Sequence, residues 1–300
     1  MMRALKKLSD RIGMICINLR YLFRVARVRR SPEKEALILC HSLEKGMGYS
    51  DFSKGHGKEK AKRLMDILSK LREGSYAKDE AVAVLKAYYK AQDDSASLLK
   101  LEYEHSSKGY EGGYSTIDMS EITKKIDIDF AGFVDARHSA RDLSFEEINS
   151  DVVEEAVSMA RMAPSACNRQ PWKFYYSLKK DYCDVVRNTI PSQDFLQNIP
   201  YFGAITSDMS LFDSSETGQW DINGGIFAAY LALSFHSLGI GNCIFQISKT
   251  DCDTTALRRK FGIPDSQEII CAVGFGKYKD GAKCLKAARR PIKEIAIEIK

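Results

Sequence analysis

The sequence has no hydrophobic run approaching the roughly 18 apolar residues that a spanning helix needs. It has no Cys-x-x-Cys pair. Its eight cysteines (16, 40, 167, 183, 243, 252, 271 and 284) and five histidines show no zinc-ligand spacing, so no metal site is expected. Scattered thiols in apolar stretches such as "IICAV" suit reduced cysteines in a cytoplasmic protein. "IGMICI" is too short for a signal-peptide core. There is no G-x-S-x-G, no H-E-x-x-H and no P-loop, which argues against a nucleophile-elbow hydrolase, a zincin and a P-loop NTPase. Cys167 has no base beside it and reads as a packed or half-exposed thiol. "GFGKYKDG" (274–281) follows a strand pattern, but too little chain follows it for a dinucleotide-binding βαβ unit. Its glycines are expected to let the chain turn beside a neighbour.

What is present is a globular composition, 44% hydrophobic and 28% charged, over a length sufficient for one large domain or two ordinary ones. The net charge of +5 is unevenly spread: residues 1–30 hold nine basic residues and one acidic residue, so the rest of the chain is net acidic. A local basic tail suggests an anionic surface rather than nucleic acid. "RIGMICINLRYLFRVARVRR" reads first as a solvated or packed basic helix, and second as a peripheral contact with an anionic membrane.

Residues 31–105 read as helical. Ala61, Leu64, Ile67, Leu68 and Leu71 repeat at helical spacing, and a second helix is expected from Asp79 to about Tyr103. "CHSLEKGMG" (40–48) brings His41, Glu44 and Lys45 together, and reads as a polar helix end rather than a catalytic cluster. "SSKGYEGGYST" reads as a linker, giving a helical N-terminal segment over 1–115 and a second domain over 131–300. In that domain, Asp151 to Glu154 resembles a capping box, and Pro164 should stop the helix near Met162. "WKFYYSL", "GNCIFQI" and "EIICAVGF" read as strands. "DINGGIFAAYLALSFHSLG" is expected to be a helix capped by Asp221 and ended by Gly239. It is apolar almost all round, so it belongs in a core or at an oligomer interface. His236 near its end should contact the helix dipole. These elements give an α+β sandwich.

Two short segments carry the densest chemistry. In "DARHSARDL", Arg137, Ser139 and Arg141 alternate around His138, and alternate residues of an extended segment point the same way. Two guanidiniums and a hydroxyl suit a phosphate or polyol. "RMAPSACNRQPWKF" crowds two prolines, Ser165, Asn168, Gln170 and Trp172 into one corner, far more than a plain helix-to-strand connection needs.

Together these segments resemble the nitroreductase family of FMN-dependent oxidoreductases. "RHSAR" (137–141), "APSACNRQPW" (163–172) and "AARRP" (287–291) look like three of its motifs, in its order, within residues 131–300. The resemblance implies a nitroreductase-like sandwich with a mixed or antiparallel central sheet flanked by helices, plus a mainly helical N-terminal extension. It implies that Arg137, His138, Ser139 and Arg141 bind the FMN phosphate and ribityl chain, with Arg289 reaching the phosphate. It implies that Pro164, Ser165, Ala166 and Asn168 meet the flavin of a second subunit, with Gln170 supporting them, and that Gln246 and Ile247 approach the ring. A homodimer, NAD(P)H as donor and a small-molecule acceptor follow. No catalytic side chain is then required, because the flavin carries the redox chemistry. The alternative is a flavin-binding scaffold recruited to a membrane or to a polysaccharide-biosynthesis assembly through the basic extension.

Overall fold

The computed structural model describes residues 31–49, 52–105, 109–115, 128–190, 194–213, 215, 216, 218–247, 254–285 and 289–299, with residues 19, 23 and 26–28 besides. The basic tail, and with it the membrane expectation, falls almost wholly outside them.

Among the described residues, the N-terminal part holds α1 (Pro32–Met47), α2 (Lys58–Leu68), α3 (Tyr76–Ala91) and α4 (Ser95–Glu104). α1 opens with Ser31, whose hydroxyl accepts from Glu33 N, followed by proline at the first helical position. α3 and α4 replace the single run expected from Asp79. Asp93 takes a left-handed φ of 56°, and the Asp94 carboxylate accepts from Ser97 N at 3.1 Å to start a new helix. The apolar stripes of these helices close on one core that includes Cys40, Leu64, Leu68, Leu85 and Leu101. The Gly-rich stretch is no free linker where it is described. A Cβ on Gly112 would sit 2.5 Å from the backbone of Val84, so only glycine fits against α3 there.

Further along, the described α-helices and strands are α5 (Phe130–Ala136), β1 (Leu143–Ser144), α6 (Ser150–Ala160), β2 (Trp172–Ser177), α7 (Lys180–Thr189), β3 (Tyr201–Asp208), α8 (Gln219–Ser237), β4 (Ile240–Phe245), α9 (Thr254–Phe261) and β5 (Gln267–Tyr278). The strands form an antiparallel sheet in the order β2-β3-β5-β4, with β1 beside the end of β5. Side chains alternate across β5. Cys271, Val273 and Phe275 meet Phe227, Leu231 and Phe235 of α8 and Val153 and Ala156 of α6. Ala272, with Phe202 and Ala204 of β3, meets Cys183 and Val186 of α7 and Leu257 of α9. Helices thus cover both faces, which is the α+β sandwich expected from the sequence.

Three local expectations change. Asn149, not Asp151, caps α6, accepting from Asp151 N at 3.3 Å. α8 begins one turn early, after Gly218 at φ 83°, leaving Asp221 inside the first turn. Gly274 and Gly276 do not turn the chain. They lie within β5, where a Cβ would meet the side chains of Ile199 and Pro200 at 2.8 and 2.5 Å.

Candidate functional site

The corner between α6 and β2 is a strained turn. Cys167, Asn168 and Gln170 all have positive φ (50°, 50° and 45°) without being glycine. Such backbone costs about 1–3 kcal/mol per residue, somewhat less for asparagine, so surrounding bonds must impose it. Four sets of bonds do so. Ala166 N donates to Asn223 Oδ1 of α8 at 2.8 Å, and Asn223 is in turn fixed by donating to Gln219 O at 2.6 Å. Gln170 N donates to Ser165 Oγ at 3.0 Å. Arg169, 2% exposed, forks onto Glu216 at 2.9 and 2.6 Å, donates to Leu211 O at 2.7 Å and lies over the Phe212 ring. The Arg169 guanidinium pulls the Glu216 carboxyl down to about 2. The fourth set comes from the helical layer. Gln170 Nε2 donates to Tyr76 Oη at 2.7 Å, and Asn168 Nδ2 donates to the same oxygen at 3.4 Å. Pro164 and Asn168 stay exposed, while Ser165, Ala166 and Gln170 are half-buried. The corner therefore shows polar groups to solvent from a backbone fastened behind.

The second segment runs along the outer side of β4. Ser139 bridges Asn242, and Ala140 N donates to Asn242 O at 2.9 Å. Arg137 and Arg141 both bear on the buried Cys243 thiol, whose pKa burial raises and these guanidiniums pull back. Arg141 lies 5.6 Å from the Phe195 ring, and its Nη1 makes one long bond, 3.4 Å, to Ser139 O. Neither arginine pairs with a carboxylate among the described residues. Two guanidiniums with Ser139 between them, and no carboxylate partner among the described residues, have the chemistry that suits an anion. His138 is exposed beside them. His236 lies in the last turn of α8, as expected, and also bridges two other elements: Nδ1 lies 2.9 Å from Tyr278 Oη and Nε2 3.1 Å from Phe133 O, and burial lowers its pKa. It joins α8 to β5 and α5. At the far end of β4, Gln246 is exposed and Ile247 is buried in the core. Arg289 is exposed, beyond the end of β5.

The register fixes how far apart these segments lie. Trp172 stands opposite Ser207, which stands opposite Glu268, whereas Ser139 is joined through Asn242 to Phe275. Four inter-strand steps and seven residues of β5 separate them, about 19 Å across and about 24 Å along, or on the order of 30 Å. Gln246 is on the same strand edge as Ser139, four residues past Asn242, about 14 Å along. The structure therefore brings Arg137, Ser139, Arg141 and the Gln246 end of β4 to one edge. It places the Pro164–Gln170 corner diagonally opposite.

Three supporting groups were invisible in the sequence reading. Asn223 and Glu216 are 57 and 47 residues from the groups they hold, and Tyr76 is 94 residues from Gln170. Glu44, read as part of a polar helix end, instead faces inward. It accepts from Gly113 N at 3.2 Å, and burial raises its pKa.

The sheet order, with helices on both faces, defines a nitroreductase fold. A nitroreductase structure from Bacillus subtilis superposes with a TM-score of 0.50 at 18% identity, covering 61% of this chain and all of that one. An FMN-dependent nitroreductase from Clostridium difficile R20291 gives 0.49 at 20% identity, covering 57% and 100%. Residues 134–194 match the model of the Nitroreductase family. A candidate NADH dehydrogenase/NAD(P)H nitroreductase of Archaeoglobus fulgidus is 25% identical over 144 residues, 48% of this chain and 82% of that protein. The nitroreductase-like fold expected from the motifs thus holds, and residues 134–194 resemble that family in sequence as well.

Proposed function

We propose that the chain is an FMN-dependent NAD(P)H oxidoreductase that works as a homodimer, with residues 131–300 as the flavin domain and the helices of 1–115 as an added layer. The observation that carries this reading is the Arg137–Ser139–Arg141 cluster, whose arginines have no carboxylate partner among the described residues, at one end of the β4 edge, with Gln246 and Ile247 at the other. The name of the Archaeoglobus relative supports the NAD(P)H part. Arg137, Ser139 and Arg141 would hold the phosphate and ribityl chain, with His138 beside them and Arg289 closing the phosphate site. Gln246 and Ile247 would border the ring. Bound FMN would supply hydride chemistry, taking reducing equivalents from NAD(P)H and giving them to a small-molecule acceptor. The chain's own task is then to hold, orient and exclude water, which agrees with the lack of a nucleophile–base pair in the sequence motifs.

The corner argues for the second subunit. A gap on the order of 30 Å is too wide for one mononucleotide to touch both segments of one chain. A second copy can bring its Pro164, Ser165, Ala166, Asn168 and Gln170 to the first copy's β4 edge. α8 offers the surface for that. Ile222 (54% exposed), Gly225, Ala229 and Tyr230 (41% exposed) are exposed, and with the half-buried Ile226 and Leu233 they form an apolar stripe at helical spacing.

The test is the absorbance spectrum of purified protein, before and after NADH or NADPH under nitrogen. A flavin spectrum that bleaches is expected, and colourless protein that ignores added FMN sinks the proposal. Arg137→Ala should weaken FMN binding about tenfold or more, as loss of a charge-assisted phosphate contact does. Unchanged affinity removes the phosphate assignment.

A further inference from the structure

We propose that the helical layer is a working part of the flavin wall, with Tyr76 as the positioning residue that sets the conformation of Asn168 and Gln170. This rests on the flavin reading above and adds to it a residue outside the matched family region. Tyr76 Oη accepts from both amides, at 2.7 and 3.4 Å, and Gln170 Nε2 also reaches Asn168 Oδ1 at 3.2 Å. One phenol oxygen therefore orients the two side chains on either side of Arg169. These are the residues whose backbone is held at positive φ, where a freed side chain lets the turn relax.

Tyr76 is itself held in place. It sits on the first turn of α3, capped by Ser75, with its ring edge-on to Tyr110 at 5.6 Å. α1 runs along the same corner, and Ser31 N donates to Ser210 O at 3.1 Å. A hinge or a floppy appendage would not need these contacts. Behind Tyr76 lies a group of buried acids. Glu80, on the same helix, is 9% exposed and faces Glu44 and Cys40 of α1. The Gly-rich segment gives Gly113 N–H to Glu44, and the corner gives two neutral amides to Tyr76. Burial first, and Glu44 second, push the Glu80 carboxyl up to about 7. Burial, followed by Glu80, Cys40 and Glu44, raises the Tyr76 phenol, which stays protonated. An acid with a raised folded pKa favours the packed state below its ordinary value, and that advantage is lost as pH rises through about 7. Ionised Glu80 beside Glu44 then opposes the packing that carries Tyr76 to the corner.

The experiment is FMN titration of the full chain by flavin fluorescence from pH 5 to pH 8.5. Steady-state turnover is measured alongside, with NADH and ferricyanide. Wild type, Tyr76→Phe and Glu80→Gln are compared. Tyr76→Phe keeps the ring and removes the acceptor. It should raise the FMN dissociation constant about fivefold to tenfold, by loss of one good and one long hydrogen bond, and lower kcat more than it changes the KM for NADH. Wild-type affinity should fall as pH rises through about 7. Glu80→Gln should bind FMN with no such step. A Tyr76→Phe constant equal to wild type, or a pH step that survives in Glu80→Gln, overturns the inference while leaving the flavin reading intact. Wild type that binds no FMN overturns both. Where Tyr76→Phe does not fold, the Glu80→Gln profile decides.

Discussion

Arg169 shows how a single residue can be essential to the corner without meeting a ligand. Its guanidinium is nearly sealed off, forked onto Glu216, bonded to two carbonyls and stacked on Phe212. Arg169→Ala should therefore leave Glu216 without its partner and free the Ala166 and Leu211 carbonyls. A loss of about 2–4 kcal/mol in chemical denaturation is expected, at the lower end because Glu216 keeps some water contact. The same pair sets an acid limit. Glu216 has a depressed folded pKa, so its contribution is present above the ordinary glutamate value and is lost as pH falls toward about 2. Glu216→Gln should flatten that acid loss, while an unchanged acid profile would deny the pair its role. Glu80 has the opposite sign, with stability lost as pH rises toward about 7. The two carboxyls leave the helical layer and its seam with the sheet steadiest in mildly acidic solution.

Among the elements, α8 bears the tightest constraint. At Gly224 a Cβ would lie 2.4 Å from Ile270 Cγ1 on β5, with no flexible neighbour able to yield fully. Gly224→Ala should push α8 off the sheet, cost about 1–3 kcal/mol and lower Tm, because overpacking a filled seam forces backbone shifts. It should also disturb the corner, since Asn223 beside it holds Ala166; a Tm equal to wild type would refute the close approach. The element pattern explains what the sequence allowed to be read. Strands β2, β4 and β5 announced themselves through aromatic and β-branched runs, and the two motifs through side chains too specific for ordinary turns. Asp93 hid the break between α3 and α4, because an aspartate at positive φ has no sequence mark of its own. The Asn223, Glu216 and Tyr76 contacts were hidden for another reason. Each joins residues dozens of positions apart, and no local spacing encodes such a pair. Glu44 was misread on the same ground: a charged residue at a helix end looks solvated until α3 and the Gly-rich segment cover it.

At the scale of the whole molecule, the sheet sets the two motifs further apart than one mononucleotide reaches. The basic cluster and the strained corner occupy diagonal ends of β2-β3-β5-β4. A helix meant to be fully buried would have no reason to leave Ile222, Ile226 and Tyr230 in a line, and a helix meant for water would not carry them. The proposed two-fold pairing through α8 would answer the stripe and the diagonal separation together, turning two half-sites into two whole ones. Tyr230→Asp places a charge at the middle of that stripe, at a position 41% exposed in the single chain, so the fold of each chain should survive. Sedimentation should find wild type as a dimer and Tyr230→Asp as a monomer with an unaltered far-ultraviolet circular dichroism spectrum. FMN affinity should drop at least tenfold with the dimer, because the monomer retains Arg137, Ser139 and Arg141 but loses the neighbour's corner. A monomeric Tyr230→Asp that still holds FMN as wild type does would place the whole flavin site within one chain. The distance between its two motifs would then need another explanation than a shared site.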